Sequence, residues 1–508
     1  MSIPAGTVPL AALAARPQSE AARAVEEAVE AQVEVASSPP AAAGRRLGTI
    51  ERRPRSMSHN DCNARVTHLV RRNPDLGSDA TLPHMVGGER CHSPPIRTQC
   101  GTAIPDGPYS YVMVWPAGFM WGTGASSTQC EGAAPASDWW DWERAGRAPL
   151  SGDGNGFATR YGEDFALLAG LGLTHHRLSI EWARIEPEPG HHDAAAIEHY
   201  RAVLTAAGDA GVSPWVTLHH FTLPRWFAAL GGFLDDSNRT GAWARHVDFV
   251  ADTFGDLVAG WQPINETNYY GRAAYGGGGW PPGTKNSAER AKVDETMHLA
   301  NAEAAVRLRQ TGAPVASIFG LSAFVAQDDD PRSASLVDHL YATLWAPGLG
   351  LFRNGVLRVP GRTAVERPDL AGAFDMIGFS YYATLGAIAG APAIHPPDAV
   401  RSPLGYGIFA DGLGLVLDRL HDELPRTPIL VAEYGIGTDD DELRATYLRR
   451  GVEIVAERLA TGHDIRGLFH WTAVDNYEWL HGYDVSFGII DRDRNIRPSA
   501  AVLRAEAL

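Results

Sequence analysis

From Trp115 onward, short apolar runs alternate with amphipathic helical patterns. Eight of these runs have the length and the following turn residues that are typical of buried parallel strands. They occupy residues 119–124, 176–182, 214–220, a run that ends at Glu266, 315–321, 376–382, a run that ends at Glu433, and 467–471. Strands that alternate with helices in this way predict an α/β fold, a parallel (β/α)8 TIM barrel.

Apolar stripes with helical spacing lie between the runs. Ile197, Tyr200 and Leu204 share one face of a predicted helix, and Gly211 is placed to end it. Two further stripes consist of Val247, Val250, Phe254 and Leu257, and of Tyr447, Leu448, Val452, Val455 and Leu459. Each stripe predicts a helix that packs one face against the barrel.

Residues 1–112 differ in composition from the rest of the chain. Ala, Pro, Arg and Ser dominate, as in Ser37-Ser38-Pro39-Pro40, and large apolar residues are scarce. A segment of this kind buries too little surface to offset the entropy lost on ordering. We expect residues 1–112 to form a disordered extension, or an upstream segment ahead of the natural start. The barrel domain is expected to occupy residues 113–508.

Composition narrows the classes of function and location. Hydrophobic residues make up 44% of the 508 residues, enough for a large core, and the net charge of −16 argues against nucleic acid or an anionic membrane as partner. The four cysteines lack metal-site spacing, and no cofactor is expected. No run of 18 apolar residues and no basic segment before the first apolar patch occur. A cytoplasmic protein is expected.

Two predicted strands end in a glutamate. The stretch 428–435 rises through apolar residues to Glu433 and then Gly435, and the stretch 261–268 leads to Glu266. Barrel enzymes keep their chemistry at the carboxyl ends of the strands. Two carboxyl groups at this edge indicate the pair that glycoside hydrolysis requires.

Other segments carry a family resemblance. Gln129-Cys130-Glu131-Gly132, Thr217-Leu218-His219-His220, Asn265-Glu266, Ala432-Glu433-Tyr434-Gly435 and the stretch from Trp471 to Trp479 recur at the predicted strand ends. Together they resemble glycoside hydrolase family 1, the β-glucosidase family, over residues 117 to about 498. The resemblance implies the barrel fold, a small-molecule β-glycoside as the partner and no metal.

The resemblance also implies a role for each site residue. Glu433 is the expected nucleophile and Glu266 the expected acid/base. Arg177 is expected to keep Glu433 charged, and Tyr382 to donate a hydrogen bond to it. The residues expected to bind the sugar are Gln129, His220, Asn265, Tyr382, Trp471, Glu478 and Trp479. Glu478, followed by residues 480–486 without Lys or Arg, favours unphosphorylated glucosides, with galactosides or fucosides also expected.

Four positions depart from the family pattern. Tyr434 replaces Asn after the nucleophile, Phe221 replaces Trp and Thr222 replaces Asp after the sugar-binding His, and Ser380 replaces Asn before two tyrosines. The departures at Phe221, Thr222 and Ser380 are expected to weaken a hydroxyl contact or to widen the site.

Three other functions stay open from the sequence. A transglycosylase would use the same glutamates with a sugar as acceptor, and a non-catalytic sugar-binding barrel would fit the departures. A metal-dependent hydrolase would need clustered ligands. The pairs His175-His176 and His219-His220 do not provide them, because adjacent strand residues point to opposite faces.

Overall fold

A computed structural model describes residues 115–507 of the chain. The extension expected over residues 1–112 therefore lies outside the described residues, and the division into two domains stays a prediction. None of the described helices combines the length and the apolar character that crossing a bilayer requires.

The predicted parallel (β/α)8 barrel is confirmed. Its strands are β1 (Met120–Gly124), β2 (His175–Ser179), β3 (Ser213–His219), β4 (Gly260–Ile264), β5 (Phe319–Gly320), β6 (Ile377–Tyr381), β7 (Ile429–Tyr434) and β8 (Ile465–Trp471). The order in the sheet is β4-β3-β2-β1-β8-β7-β6-β5, with parallel pairing throughout. Strand β4 meets the segment before β5, where the Trp261 amide donates to the Pro314 carbonyl at 2.9 Å and a parallel bridge joins Trp261 to Val315.

Helices surround the barrel. They are α1 (Ser127–Glu131), α2 (Asp138–Arg144), α3 (Phe157–Gly170), α4 (Trp182–Ile185), α5 (Ala194–Asp209), α6 (Arg225–Ala229), α7 (Asp236–Asn238), α8 (Ala244–Phe254), α9 (Ser287–Leu308), α10 (Pro331–Leu344), α11 (Ala346–Asn354), α12 (Gly412–Glu423), α13 (Asp441–Ala460) and α14 (Ala500–Ala507). The stripes predicted from the sequence lie on α5, α8 and α13, except that Leu257 follows the end of α8.

Side-chain caps fix where several long helices begin. Asp193 accepts from the Ala196 amide at the start of α5, and Asp440 accepts from two amides at the start of α13. Asp330 caps α10, whose first residue is Pro331. Proline suits this first position because its missing N–H would have no partner in the helix.

Shorter elements complete the chain between the helices and strands. A second sheet joins Ala323–Ala326, Thr384–Ile388 and Ala391–Ile394, and a two-stranded ribbon joins Val356–Leu357 to Val365–Glu366. Short 3₁₀ or π turns are Gly232–Leu234, Arg239–Trp243, Arg272–Gly276, Arg309–Thr311, Pro368–Leu370 and Trp479–His481.

The core has two layers. The interior of the barrel is filled by a small cluster: Met120, Trp215, Ala316, Ile318, Met376, Leu430, Ala432 and Phe469. A larger cluster lies between the strands and the helices and includes Val216, Ile377 and Val431. Strands buried on both faces explain the near-continuous apolar runs of the sequence.

We expect Gly378→Ala, in β6, to destabilise the barrel. A Cβ at this position would lie 2.0 Å from the backbone oxygen of Ser317, in the segment that leads into β5, so one of the two backbones would have to shift. The expected cost is about 1–3 kcal/mol of unfolding free energy, measured by denaturant titration. Gly162→Ala on α3 is the matched control, because a Cβ there meets open space. It should stabilise the protein by about 0.5–1 kcal/mol. Equal stability of the two variants would contradict this view of the packing.

Candidate active site

The carboxyl ends of the strands surround one cavity of about 680 Å³. Its lining includes every site residue predicted from the sequence except Arg177, which is fully buried beneath it. The lining members of that set are Gln129, His220, Asn265, Glu266, Tyr382, Glu433, Trp471, Glu478 and Trp479. They come from six different strand ends or the loops that follow them, so the barrel brings together residues far apart in the sequence.

Glu433 lies inside β7 and is met by two donors. The Arg177 guanidinium forms an ion pair with one carboxylate oxygen through Nη2, and the Tyr382 hydroxyl donates to the other oxygen. The other terminal nitrogen of Arg177 donates to the Asn265 side-chain oxygen at 2.7 Å. Burial and the Glu433 charge raise the pKa of Tyr382 well above its ordinary value, so its hydroxyl keeps the proton that it donates.

Glu266 has different surroundings. It follows β4 by two residues, in left-handed backbone with φ 42°, and its carboxyl accepts a hydrogen bond from the Ser380 hydroxyl. Burial, and secondly the charge of Glu433, raise the pKa of Glu266 to about 8. The Ser380 hydrogen bond and the Arg177 charge oppose that rise. Glu266 therefore holds a proton at neutral pH.

A third carboxyl group, that of Glu478, lies in the loop after β8. The Gln129 amide donates to it at 3.3 Å and to the Tyr477 carbonyl at 2.9 Å. The Ser126 hydroxyl donates to the Gln129 side-chain oxygen at 2.7 Å, which fixes the orientation of the amide. Burial, followed by the charges of Glu433 and Glu266, raises the pKa of Glu478 to about 8.

Flat rings form another part of the cavity. The His220 ring is nearly parallel to the Trp471 indole, with centroids 5.7 Å apart, and to the Trp479 indole, with centroids 6.3 Å apart. Burial lowers the pKa of His220 well below its ordinary value, so the ring is neutral. Trp471 packs on Val485 and Phe487, which hold its ring in place.

The four departures from the family pattern have different consequences. Tyr434 points away from the cavity, because its hydroxyl donates to the Tyr447 carbonyl at 2.8 Å. Thr222 donates to the buried Glu181 behind the site. Ser380 contacts Glu266 directly, and Phe221 lines the cavity in left-handed backbone with φ 74°. Two of the four departures therefore touch the candidate site.

One side of the cavity was not expected from the sequence. An aliphatic wall is formed by Leu321, Leu340, Leu344, Leu385 and Ile394. Leu340 and Leu344 belong to α10, and Leu385 and Ile394 to the hairpin of the second sheet. Ala389 and Gly390 turn that hairpin with φ 52° and 78°, a pattern typical of a two-residue turn. The short apolar runs around Gly390 were the signal that could have predicted it.

The side chains that can bind metals are not clustered in the part of the chain that the structure describes. Within residues 115–507, no three or more His, Cys, Asp or Glu side chains are grouped so that they could hold a metal ion. One ring nitrogen of His176 lies 2.8 Å from the Thr123 hydroxyl within the core.

Known proteins resemble this chain in sequence and in fold. A β-D-glucosidase/β-D-fucosidase of Bifidobacterium breve is 27% identical over 441 residues, covering 74% of this chain and 93% of its own. A β-galactosidase of Saccharolobus solfataricus is 27% identical over 475 residues, covering 77% and 94%. The structure of a β-glycosidase from Pyrococcus horikoshii superposes with a TM-score of 0.71 at 26% identity, covering 78% of this chain and 95% of that one.

The family profile of Glycosyl hydrolase family 1 matches residues 112–344 and 354–505, which include every residue of the candidate site. The chain therefore belongs to glycosyl hydrolase family 1 and is a glycoside hydrolase.

Proposed function

We propose that this enzyme is a retaining β-glycosidase that hydrolyses unphosphorylated β-D-glucosides, and also β-D-galactosides or β-D-fucosides. The observation that carries the proposal is the contrast between two glutamates in one cavity. Glu433 is paired with a buried arginine, whereas burial raises the pKa of Glu266 to about 8. A retaining mechanism needs one ionised carboxylate and one protonated carboxyl group at the same bond.

In the first step, a carboxylate oxygen of Glu433 attacks the anomeric carbon. The bond from that carbon to the aglycone oxygen breaks, and Glu266 transfers its proton to the departing oxygen. The sugar is then esterified to Glu433, and Glu266 is left as a carboxylate. Tyr382 and Arg177 orient the nucleophile for this attack, since they hold both of its oxygens.

In the second step, Glu266 acts as a base. It takes a proton from water, the water oxygen bonds to the anomeric carbon, and the bond to Glu433 breaks. Two inversions leave the configuration of the sugar unchanged. Both residues return to their starting protonation states, ready for another substrate.

The sugar contacts follow from the same cavity. Trp471 provides a flat apolar surface for the C–H face of the sugar. Gln129 and Glu478 lie together, so one hydroxyl of the sugar can be bound by both. His220 and Asn265 add further polar atoms to the lining. The β-glucosidase, β-fucosidase and β-galactosidase activities named for the relatives support this range of sugars.

Other functions have less support. A transglycosylase would run the same first step, and product analysis with an added acceptor sugar distinguishes it. A non-catalytic sugar-binding barrel is disfavoured by the presence of both glutamates with complementary surroundings. The absence of nucleic-acid or membrane partners and the cytoplasmic location stay predictions from the sequence.

We expect azide to reveal the roles of the two glutamates. Glu433→Gly removes the nucleophile and opens space for azide, so rescue should give a glycosyl azide of inverted configuration. In Glu266→Ala the glycosyl-enzyme still forms from substrates with good leaving groups, and azide should give the retained product. Turnover of poor leaving groups by Glu266→Ala should fall about 10²–10⁴-fold. Swapped product configurations, read by NMR, would reverse the assignment.

The pH dependence tests the state of Glu266. Because Glu266 must be protonated to act as the acid, kcat/KM should fall as the pH rises through about 8. Ser380→Ala removes a hydrogen bond that favours the ionised form, so the pKa of Glu266 should rise. The basic limb of the kcat/KM profile should then move to higher pH. Ser380→Thr keeps a hydroxyl and is the control. If the basic limb of the kcat/KM profile does not move in Ser380→Ala, the assignment of that limb to Glu266 is contradicted.

We expect a β-glucoside to be preferred over its 6-phosphate. The cavity already holds three carboxyl groups, and residues 480–486 offer no Lys or Arg to receive a phosphate. The kcat/KM values of the two substrates measure the preference. Glu478→Gln should lower kcat/KM for the glucoside about 2- to 10-fold, since the amide replaces one acceptor oxygen and a hydrogen bond contributes about 0.5–1.5 kcal/mol. A preference for the phosphorylated substrate would contradict the role given to Glu478.

A further inference from the structure

The cavity is larger than a single sugar ring requires. Its volume of about 680 Å³ falls within the range of about 300–1,000 Å³ that is usual for drug-sized ligands. The candidate sugar-binding residues account for one part of the lining, and the aliphatic wall forms another. The space beside that wall must receive whatever is attached to the sugar.

The aliphatic wall adjoins the proposed acid. A Cβ placed on Gly320, immediately before Leu321, would lie 3.3 Å from the carboxyl carbon of Glu266. Asn268, two residues after Glu266, donates to the backbone oxygens of Gly320 and Leu344 at 2.8 and 2.9 Å. The group that receives the proton of Glu266 is the aglycone oxygen, so the aglycone itself leaves on this side.

Two polar side chains of the cavity lining, Asn268 and Thr384, are already engaged with the protein. Both donors of the Asn268 amide are used by backbone oxygens, and its oxygen accepts from the Gly320 amide at 2.9 Å. Thr384 is hydrogen-bonded to the Tyr381 hydroxyl at 3.0 Å, which itself donates to the Phe409 carbonyl at 2.6 Å. A second sugar has several hydroxyl groups, and hydroxyls buried without a partner are costly.

We propose that the preferred aglycone is an apolar alkyl or aryl group rather than a second sugar. The five residues of the aliphatic wall bind it by burying its apolar surface. An aglycone exists only if the chain cleaves glycosides, so this proposal rests on the function proposed above. The energy of such contacts grows with the apolar area buried, which makes the proposal quantitative.

A series of n-alkyl β-D-glucosides from methyl to octyl tests the proposal on the wild-type enzyme. The leaving groups are all simple alcohols, so the chemistry of bond cleavage changes little along the series. The value of kcat/KM should rise up to about fourfold for each methylene that the aliphatic wall covers. Hexyl glucoside should also be cleaved with a higher kcat/KM than cellobiose, whose aglycone is glucose.

β-Glucosyl fluoride separates the two proposals, because fluoride fills none of the aglycone space. One result would overturn the proposal of an apolar aglycone and leave the glycosidase function intact. In that result the fluoride is turned over, but methyl and octyl glucosides have equal kcat/KM or cellobiose is preferred. Failure to turn over the fluoride and all of the glucosides would overturn both proposals.

Two variants on one strand localise the effect. Leu385→Asn places a polar amide in the aliphatic wall and should lower the ratio of kcat/KM for hexyl glucoside to that for methyl glucoside at least fivefold. Ile388→Asn is the matched control, since Ile388 lies three residues further on the same strand, is 42% exposed and is not part of the cavity lining. Equal ratios in the two variants would overturn the assignment of this wall.

Discussion

The candidate site depends on a buried positive charge. Arg177 is 0% exposed, and a charge in that position is tolerated only when it is paired and hydrogen-bonded. Its two terminal nitrogens bind Glu433 on β7 and Asn265 at the end of β4. One guanidinium group therefore connects β2 with β7, which carries Glu433, and with the segment after β4, which carries Glu266. Its planar shape suits this role, because the donors point in fixed directions.

The same arginine organises the charges of the cavity. Three carboxyl groups lie there, and the charge of Glu433 opposes the ionisation of the other two. The one paired with Arg177 and Tyr382 is Glu433, while burial and repulsion raise the pKa of both Glu266 and Glu478 to about 8. The site can thus contain an anion and an acid at neutral pH without any metal ion as a counter-charge.

Much of this arrangement could be predicted from the sequence, for a physical reason. Barrel strands are buried on both faces and give clear apolar runs, and the polar residues that end those runs must meet at one edge. Glu266 and Glu433 were identified in this way. The partner of Glu266 was not, because Ser380 reaches it from two strands further along the chain. Contacts between distant segments leave no periodic signal in a single sequence.

The aliphatic wall is a second feature that could not be predicted from the sequence alone. Its residues come from the segment after β5, from α10 and from a hairpin outside the barrel, and their apolar character reads as ordinary core until the fold places them beside the cavity. This arrangement also separates two tasks. The carboxyl ends of the barrel strands hold the groups that act on the anomeric carbon, and they are fixed by the barrel pairing. The elements added after β5 and β6 line the side on which we propose that the leaving group departs, and their backbone is tied to the acid because Asn268 donates to the backbone oxygens of Gly320 and Leu344. Side-chain changes at Leu340, Leu385 or Ile394 leave those backbone contacts in place, so this side can change its choice of aglycone while the bond-cleaving chemistry stays the same.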